Sequence, residues 1–259
     1  MRHKAYCTSD YYKNAAHKLF KNPDMLLLFL RKYVIIFSAD ITVQKEEMNM
    51  VEYKHYDSSY EAGTLKVFIE AFVNYPLFWG IFKDRFKSET KLRDFYERLM
   101  KGIFRATVRK NDCYIGIADG KVAVIVIVEK PSGKPVGFWD YAVSGMPSII
   151  AKIGLADTLK YMELSDKTEI VVKSIPEPRW HLYFLAVDPN CQHQGLGTGA
   201  IQDFLIPLVR SGGGNLITVT TNSEKNVAFY CKNGFSIIKE ETLAYKEKSV
   251  GNWSFRMNL

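Results

Sequence analysis

Between Val187 and Thr198 the chain reads Val-Asp-Pro-Asn-Cys-Gln-His-Gln-Gly-Leu-Gly-Thr, a glycine-bearing turn between an apolar run and a helix-like run. Such an arrangement can seat a pyrophosphate. Upstream, Leu182 to Val187 is apolar and free of turn formers, as a buried strand would be. Downstream, Ala200, Ile201, Phe204, Leu205 and Leu208 recur at helical spacing. The turn therefore opens a helix. Gly195 and Gly197 let backbone approach a ligand with no Cβ in the way, and the unpaired amides and positive dipole end of the helix favour an anion. A lone Gly-x-Gly is equally compatible with an ordinary strand-turn-helix corner.

Two flanking blocks narrow that choice. The segment Trp180-His-Leu-Tyr-Phe-Leu-Ala-Val-Asp-Pro189 leads into Gln192-His-Gln-Gly-Leu-Gly197, and Thr221-Asn-Ser-Glu-Lys-Asn-Val-Ala-Phe-Tyr-Cys-Lys-Asn-Gly-Phe235 follows at a fitting distance. In this order the two blocks resemble the acetyl-coenzyme A signature and the Asn-Val-x-Phe-Tyr-x-x-x-Gly-Phe segment of the GCN5-related N-acetyltransferases (GNAT). The resemblance is clear over residues 180–259 and weaker back to about Met50. Within the family it runs closest to the puromycin N-acetyltransferase type and its small-molecule relatives. It implies an α/β (α+β) fold, with a central mixed, mostly antiparallel sheet flanked by helices. It further implies acetyl-CoA as co-substrate and no metal.

An acetyl thioester is already activated. The protein must hold it beside a neutral nucleophile, take a proton from that nucleophile and stabilise the departing thiolate. By resemblance, backbone groups of Leu185, Ala186 and Val187 pair with the pantetheine arm. Gln192 opens the signature, and the amides of His193, Gln194, Gly195, Leu196, Gly197 and Thr198 hold the pyrophosphate. Orientation of this kind can lower a barrier by about 7 kcal/mol or more. Tyr230 matches the tyrosine that protonates the leaving sulfur. A phenol of pKa about 10 keeps its proton at neutral pH and can give it to a developing thiolate. Read from its surroundings alone, Tyr230 could also be a buried aromatic beside Phe229. Asn226 lies one helical turn earlier, able to bond the pantetheine, order a water or cap the helix.

For the base, His181 and Tyr183 are expected to alternate on one strand face with Leu185 and Val187. His181-Leu-Tyr-Phe-Leu-Ala-Val187 resembles the His-Leu-His-x-Leu-Ala-Val of the serotonin N-acetyltransferase type. His181 matches the first histidine and Tyr183 stands in place of the second. An imidazole of pKa about 6.5 suits proton removal, although a lone histidine is equally at home in a structural role. Glu177 is the second candidate. His193 is expected to contribute backbone only. Cys191 sits where a helix N-terminus could lower a thiol pKa, yet direct transfer needs no cysteine.

The expected acceptor is a primary amine of a small molecule, attacked directly in a ternary complex. The aromatic residues Phe138, Trp139 and Tyr141 before the cofactor strand would suit a flat or apolar one. Protein or peptide acetylation would call for an acidic strip to meet basic substrates, and none stands out. A non-catalytic acyl-CoA sensor would keep Gly195 and Gly197 but require neither Tyr230 nor a base.

The 259 residues carry a formal charge of +7 with a pI near 9.0, which suits an anionic ligand such as coenzyme A. Basic residues are scattered among acids, as in Lys83-Asp-Arg-Phe-Lys87, so neither nucleic acid nor a membrane is expected as partner. The protein is expected to be a monomer or homodimer. Hydrophobic residues make up 47% of the chain, ample for a core. Cys7, Cys113, Cys191 and Cys231 lie far apart with neither disulfide nor zinc spacing, consistent with the cytoplasm.

Several elements must position these groups. Val51-Glu-Tyr-Lys-His-Tyr56 reads as a first strand, and residues 60–72 as a helix with Leu65, Phe68, Ile69 and Phe72 on one face, broken at Tyr75-Pro-Leu77. Residues 77–109 read as one or two helices. Tyr114–Ala118 and Val122–Val128 form a hairpin about Asp119-Gly120. Residues 136–178 suggest a substrate-side insertion with a helix through Leu159, Met162 and Leu164, or plain packing. Leu216–Thr220, Phe235–Ile238 and Trp253–Met257 complete the sheet. Residues 1–49 are expected to be an extension outside the domain at 50–259, as a misassigned start codon would produce. Their apolar run is shorter than the about 18 residues that span a bilayer, and Phe37-Ser-Ala-Asp40 is a poor cleavage site.

Overall fold

The structure, a computed structural model, describes residues 51–259. The expected extension, its cleavage site and Cys7 lie outside the described residues.

Seven strands form one sheet in the order β1-β2-β3-β4-β5-β7-β6. They are β1 (Glu52–His55), β2 (Asp112–Ala118), β3 (Lys121–Glu129), β4 (Trp180–Val187), β5 (Leu216–Thr221), β6 (Ser236–Tyr245) and β7 (Lys248–Asn258). All pairs are antiparallel except β4 with β5. β3 is buried from Val122 to Val128, which explains its unbroken apolar run; a strand covered on both faces has no polar side to alternate with. The Asp119-Gly120 turn takes φ of 50° and 72°, the double positive pair of a tight hairpin.

Two cores flank the sheet. On one face lie α1 (Glu61–Ala71) and α2 (Glu89–Val108), whose buried Leu92, Phe95, Leu99 and Phe104 keep helical spacing. Between them a π-helical turn begins at Pro76, where proline denies the helix a hydrogen-bond donor. On the other face Leu196, Ile201, Leu205 and Val209 come from the helical run α6 (Leu196–Gly199), a π-helical turn (Ala200–Leu205) and α7 (Ile206–Ser211). They pack with Tyr230 and Phe235 around α8 (Lys225–Lys232). Gly234, at φ 94°, ends α8 in the left-handed conformation that glycine adopts without strain.

Residues 136–178 contain three helices: α3 (Phe138–Val143), α4 (Met146–Ile153) and α5 (Leu155–Lys173). Two carboxylates pin it. Buried Asp140 accepts from the Gly137 amide at 3.0 Å and meets Arg109 at 3.3 Å. Asp157, at the start of α5, bridges Arg85 at 2.5 Å and Lys246 at 2.6 Å. The insertion is thereby tied to α2, to the loop before it and to the β6–β7 turn. No single described helix is long and apolar enough to cross a membrane.

Candidate active site

The site begins where the sheet comes apart. β4 and β5 pair over only three positions, Trp180 with Ile217, His181 with Thr218 and Leu182 with Val219. Beyond Leu182, β4 keeps its pairing with β3 alone, leaving a wedge-shaped cleft on the β5 side. A register shift opposite Ile127 and Val128 marks a bulge at Tyr183, and it corrects the expected alternation. An extra residue in one strand reverses which face every later side chain takes. Tyr183, Phe184 and Ala186 therefore pack toward α1, whereas Leu185 and Val187 join Leu182 on the α6 side.

One mouth of the cleft is a groove of about 1960 Å³, measured to open solvent. Leu185, Ala186, Val187, Gln192, His193, Gly195, Leu196, Gly197, Thr198 and Asn226 all line it. Gln194 belongs to the same turn without lining the groove. The turn holds two residues in the left-handed region, His193 at φ 64° and Gly195 at φ 84°. Gly199 donates to the Gly195 carbonyl at 2.9 Å, so the helix begins with the amides of Leu196, Gly197 and Thr198 lacking intrahelical acceptors. The two glycines differ in what they permit. Gly195 supplies a backbone conformation, with open space where a Cβ would sit. Gly197 allows close packing, since a Cβ there would lie 3.2 Å from the ring of Phe229.

Lysines that the sequence did not single out complete this groove. Lys225 and Lys232 on α8 line it, both exposed and without an ion-pair partner among the described residues, and no aspartate or glutamate joins them. Cys191 also lines it, and its thiol pKa is raised rather than lowered. Desolvation and the nearby Asp188 outweigh the helix end, so it carries no activated thiolate.

The other side of the cleft opens into a pocket of about 1070 Å³ including its mouth. Its wall is aromatic and aliphatic, from Phe78, Leu99, Tyr141, Met146, Tyr161 and Phe184 among others. Its formal charges are Asp166 and Glu169 on α5, with neither lysine nor arginine. Glu169 meets Lys173 at 2.8 Å and accepts a long hydrogen bond from Tyr183 at 3.5 Å. Asp166 is exposed at the rim and has no ion pair among the described residues. Neither acid was expected, because α5 lacks a sequence pattern that separates pocket-facing from solvent-facing acids.

His181 lines this pocket. It is 3% exposed, with Nδ1 3.0 Å from Thr218 Oγ1 and its ring set edge-on to Tyr183. The Thr218 hydroxyl donates to the Trp180 carbonyl at 3.4 Å. Its oxygen therefore accepts from His181, which places the imidazole proton on Nδ1 and leaves the Nε2 lone pair available. Burial brings the His181 pKa down to about 4, against the opposing field of Glu169. Glu177, the second expected base, lies outside the pocket; its place in the loop before β4 directs it to Arg256, 3.6 Å away.

Groove and pocket meet at five residues that line both: Phe72, Tyr75, Leu185, Asn226 and Tyr230. Tyr230 is 6% exposed and wedged against Phe235 and Phe255, and burial raises its pKa well above the ordinary phenol value. It therefore remains a proton donor at any physiological pH. Asn226 is not the helix cap, a position held by Glu224; its amide donates to Thr221 Oγ1 at 3.1 Å. Tyr75, unforeseen in the sequence, accepts from the Asn222 amide at 2.7 Å and lies 3.1 Å from Thr221 Oγ1.

A splayed parallel strand pair, a bulge beside it and a helix start with unpaired amides at its mouth define a cleft that can seat an anionic ligand. The family described as Acetyltransferase (GNAT) family matches residues 77–235, more than half of the chain. The chain belongs to this family and is an N-acetyltransferase. Similar solved structures include a Corynebacterium glutamicum protein described as histone acetyltransferase HPA2 and related acetyltransferase. That match has 14% identity, covers 80% of this chain and 96% of that one, and has a TM-score of 0.52. Another is the polyamine N-acetyltransferase of Drosophila melanogaster, which catalyses formation of N-acetylagmatine. It has 14% identity, coverage of 81% and 100%, and a TM-score of 0.50. At such identities the likeness is one of fold. No curated protein matches the sequence.

Proposed function

We propose that the enzyme moves the acetyl group of acetyl-CoA to a primary amine of a small molecule by direct attack in a ternary complex. The observation that carries this reading is the division of charge across the Tyr230 junction. The groove on one side holds Lys225 and Lys232 and no acid, and the pocket on the other holds Asp166 and Glu169 and no lysine or arginine. An anionic donor and a cationic acceptor are thus drawn to opposite sides of the same point. A small amine is also what the Drosophila enzyme of like fold acts on.

In this reading the pyrophosphate rests on the amides of Leu196, Gly197 and Thr198 and near the two lysines. The pantetheine lies along the free edge of β4 at Leu185 to Val187, completing the hydrogen bonds that β5 does not make. The bound ammonium first gives one proton to water; the neutral amine nitrogen then attacks the thioester carbon, a C–N bond forms and the C–S bond breaks. The Tyr230 phenol gives its proton to the departing sulfur, and the ammonium proton of the acyl adduct leaves through His181 Nε2, directly or by way of water. The Glu169 charge favours uptake of that proton, and with a pKa near 4 the imidazole holds it only briefly before giving it to solvent. The solvent returns one proton to Tyr230, and the products are the amide and free coenzyme A.

The described cysteines, Cys113, Cys191 and Cys231, are all free, which supports placement in the cytoplasm. The test of the whole reading is release of coenzyme A thiol from acetyl-CoA with a panel of small amines, polyamines, aminonucleosides and peptides. Turnover with small amines is the expected result. Turnover confined to peptides would replace it with protein acetylation.

A further inference from the structure

One face of β7 is polar where it should be apolar. Trp253, Phe255 and Met257 alternate into the core around α8, and Val250 joins the core on the other side of the sheet, where α5 lies. Two residues beyond Val250, that side holds Asn252, which has no exposed surface at all. An apolar residue of similar volume would fill the same place, and a buried amide gains little net stability for the water it gives up. Asn252 is nevertheless bonded at every point, in one orientation only. Its Nδ2 donates to the Thr168 carbonyl on α5 and to Glu241 Oε1 on β6, each at 3.1 Å, and its Oδ1 accepts from Asn222 Nδ2 at 3.0 Å. A flipped amide would set its oxygen against a carbonyl and a carboxylate. Each partner also has a bond of its own. Asn222 donates to the Gly251 carbonyl at 3.0 Å, Glu241 meets Lys239 at 3.0 Å, and the Thr168 carbonyl lies within the hydrogen-bonded body of α5. What Asn252 alone supplies is the link between them. Asn222 belongs to the cleft lip that Tyr75 holds, and Thr168 stands between the pocket acids Asp166 and Glu169. Both line the pocket, whereas Asn252 lines neither pocket nor groove.

We propose that Asn252 is a positioning residue for acetyl transfer. It touches no substrate and acts through Asn222 and Thr168, holding the carboxylates of α5 in register with the lip of the cleft. This rests on the acetyltransferase reading and deepens it. The amides of Leu196, Gly197 and Thr198 and the lysines of α8 stand outside the network, so coenzyme A affinity does not depend on it.

The test compares the full-length wild type with Asn252→Leu and Asn252→Asp. Asn252→Leu keeps the volume and leaves each partner its other bond, so it should fold. Asn252→Asp keeps the acceptor for Asn222 but turns an oxygen on Thr168 and Glu241, so it severs α5 alone. Three readouts are taken: calorimetric affinity for coenzyme A, acetyl transfer to phenethylamine, and amide hydrogen exchange. In both variants kcat/KM for the amine should fall about tenfold or more, the scale of a misplaced reacting group, while coenzyme A affinity stays within about twofold. Exchange should quicken in residues 166–172 of α5 and stay unchanged in β3 and β4. Exchange that quickens evenly across the sheet, or amine kinetics and α5 exchange equal to those of the wild type, would overturn the proposal. The two readings fail differently. A wild type that acetylates neither phenethylamine nor any other amine of the panel would sink the acetyltransferase reading, and exchange in α5 then decides by itself whether Asn252 holds that helix.

Discussion

The hydroxyl of Tyr75 stands 3.1 Å from Oγ1 of Thr221, joining the loop after α1 to the tip of β5 across 146 residues of sequence. The same Thr221 oxygen accepts from Asn226, and the Tyr75 oxygen takes the Asn222 amide proton. One phenol thereby holds the far lip of the cleft at the point where groove and pocket meet.

Tyr75→Phe should cost about 1–3 kcal/mol, because it strands a buried backbone N–H. Thermal denaturation would show it as a fall of roughly 2–10 °C for a domain of this size. KM for acetyl-CoA should rise alongside as Asn226 loses its fixed partner. A variant as stable as the parent would mean that water replaces the hydroxyl without loss.

Tyr230→Phe should lower kcat about 100-fold, within the usual range for a general acid, while affinity for coenzyme A stays within about twofold. The discriminating measurement is kcat against calorimetric coenzyme A affinity. Weakened binding with unchanged kcat would make the residue a wall of the pocket and nothing more.

Lys225→Ala and Lys232→Ala should each raise KM for acetyl-CoA a few-fold and leave kcat alone, with the effect fading as salt is added. Both lysines are exposed, so the contribution expected of them is attraction to the diphosphate rather than folding. Steady-state kinetics at low and high ionic strength would separate the two. A salt-independent change would point to lost packing instead.

His181 gives a pH signature with a definite sign. Its pKa is depressed to about 4 in the folded protein from an ordinary 6.5, so below pH 6.5 the unfolded chain binds the extra proton first. The stability this contributes is complete above pH 6.5 and is lost as pH falls toward 4, a total of about 3 kcal/mol. Chemical denaturation of the wild type and His181→Gln between pH 4 and 8 should show the acid-side slope shrinking in the variant. In the rate profile, no limb belonging to His181 should appear near pH 6.5. A limb there that vanishes in His181→Gln would place its working pKa higher than the resting burial implies.

The sheet was legible because its signals are local. The Asp119-Gly120 turn, the buried run of β3 and the glycine closing α8 each depend on residues next to one another. That the turn at Gly195 lines a groove was legible for the same reason, being one turn and one helix in sequence. The acceptor pocket was not. Its carboxylates sit on α5, whose pocket-facing side is fixed only when Asp140 and Asp157 tie the insertion down, and Tyr75 finds Thr221 only after the whole sheet has formed. Face alternation along β4 failed at Tyr183 because nothing in the residue types announces a bulge. Gly197 lines the groove, and its lack of a Cβ also admits the ring of Phe229, a contact between distant residues that no sequence pattern announces.

The two carboxylates beside the pocket have a consequence for the end of the reaction as well as its start. In the proposed reaction an amine that arrives as a cation would depart as a neutral amide, erasing the very feature by which Asp166 and Glu169 would attract it. The spent acceptor has less reason to stay than the fresh one had to come. In this design turnover clears its own path, and product inhibition by the amide should be feeble beside inhibition by coenzyme A, which leaves with its phosphates and its lysine partners unchanged.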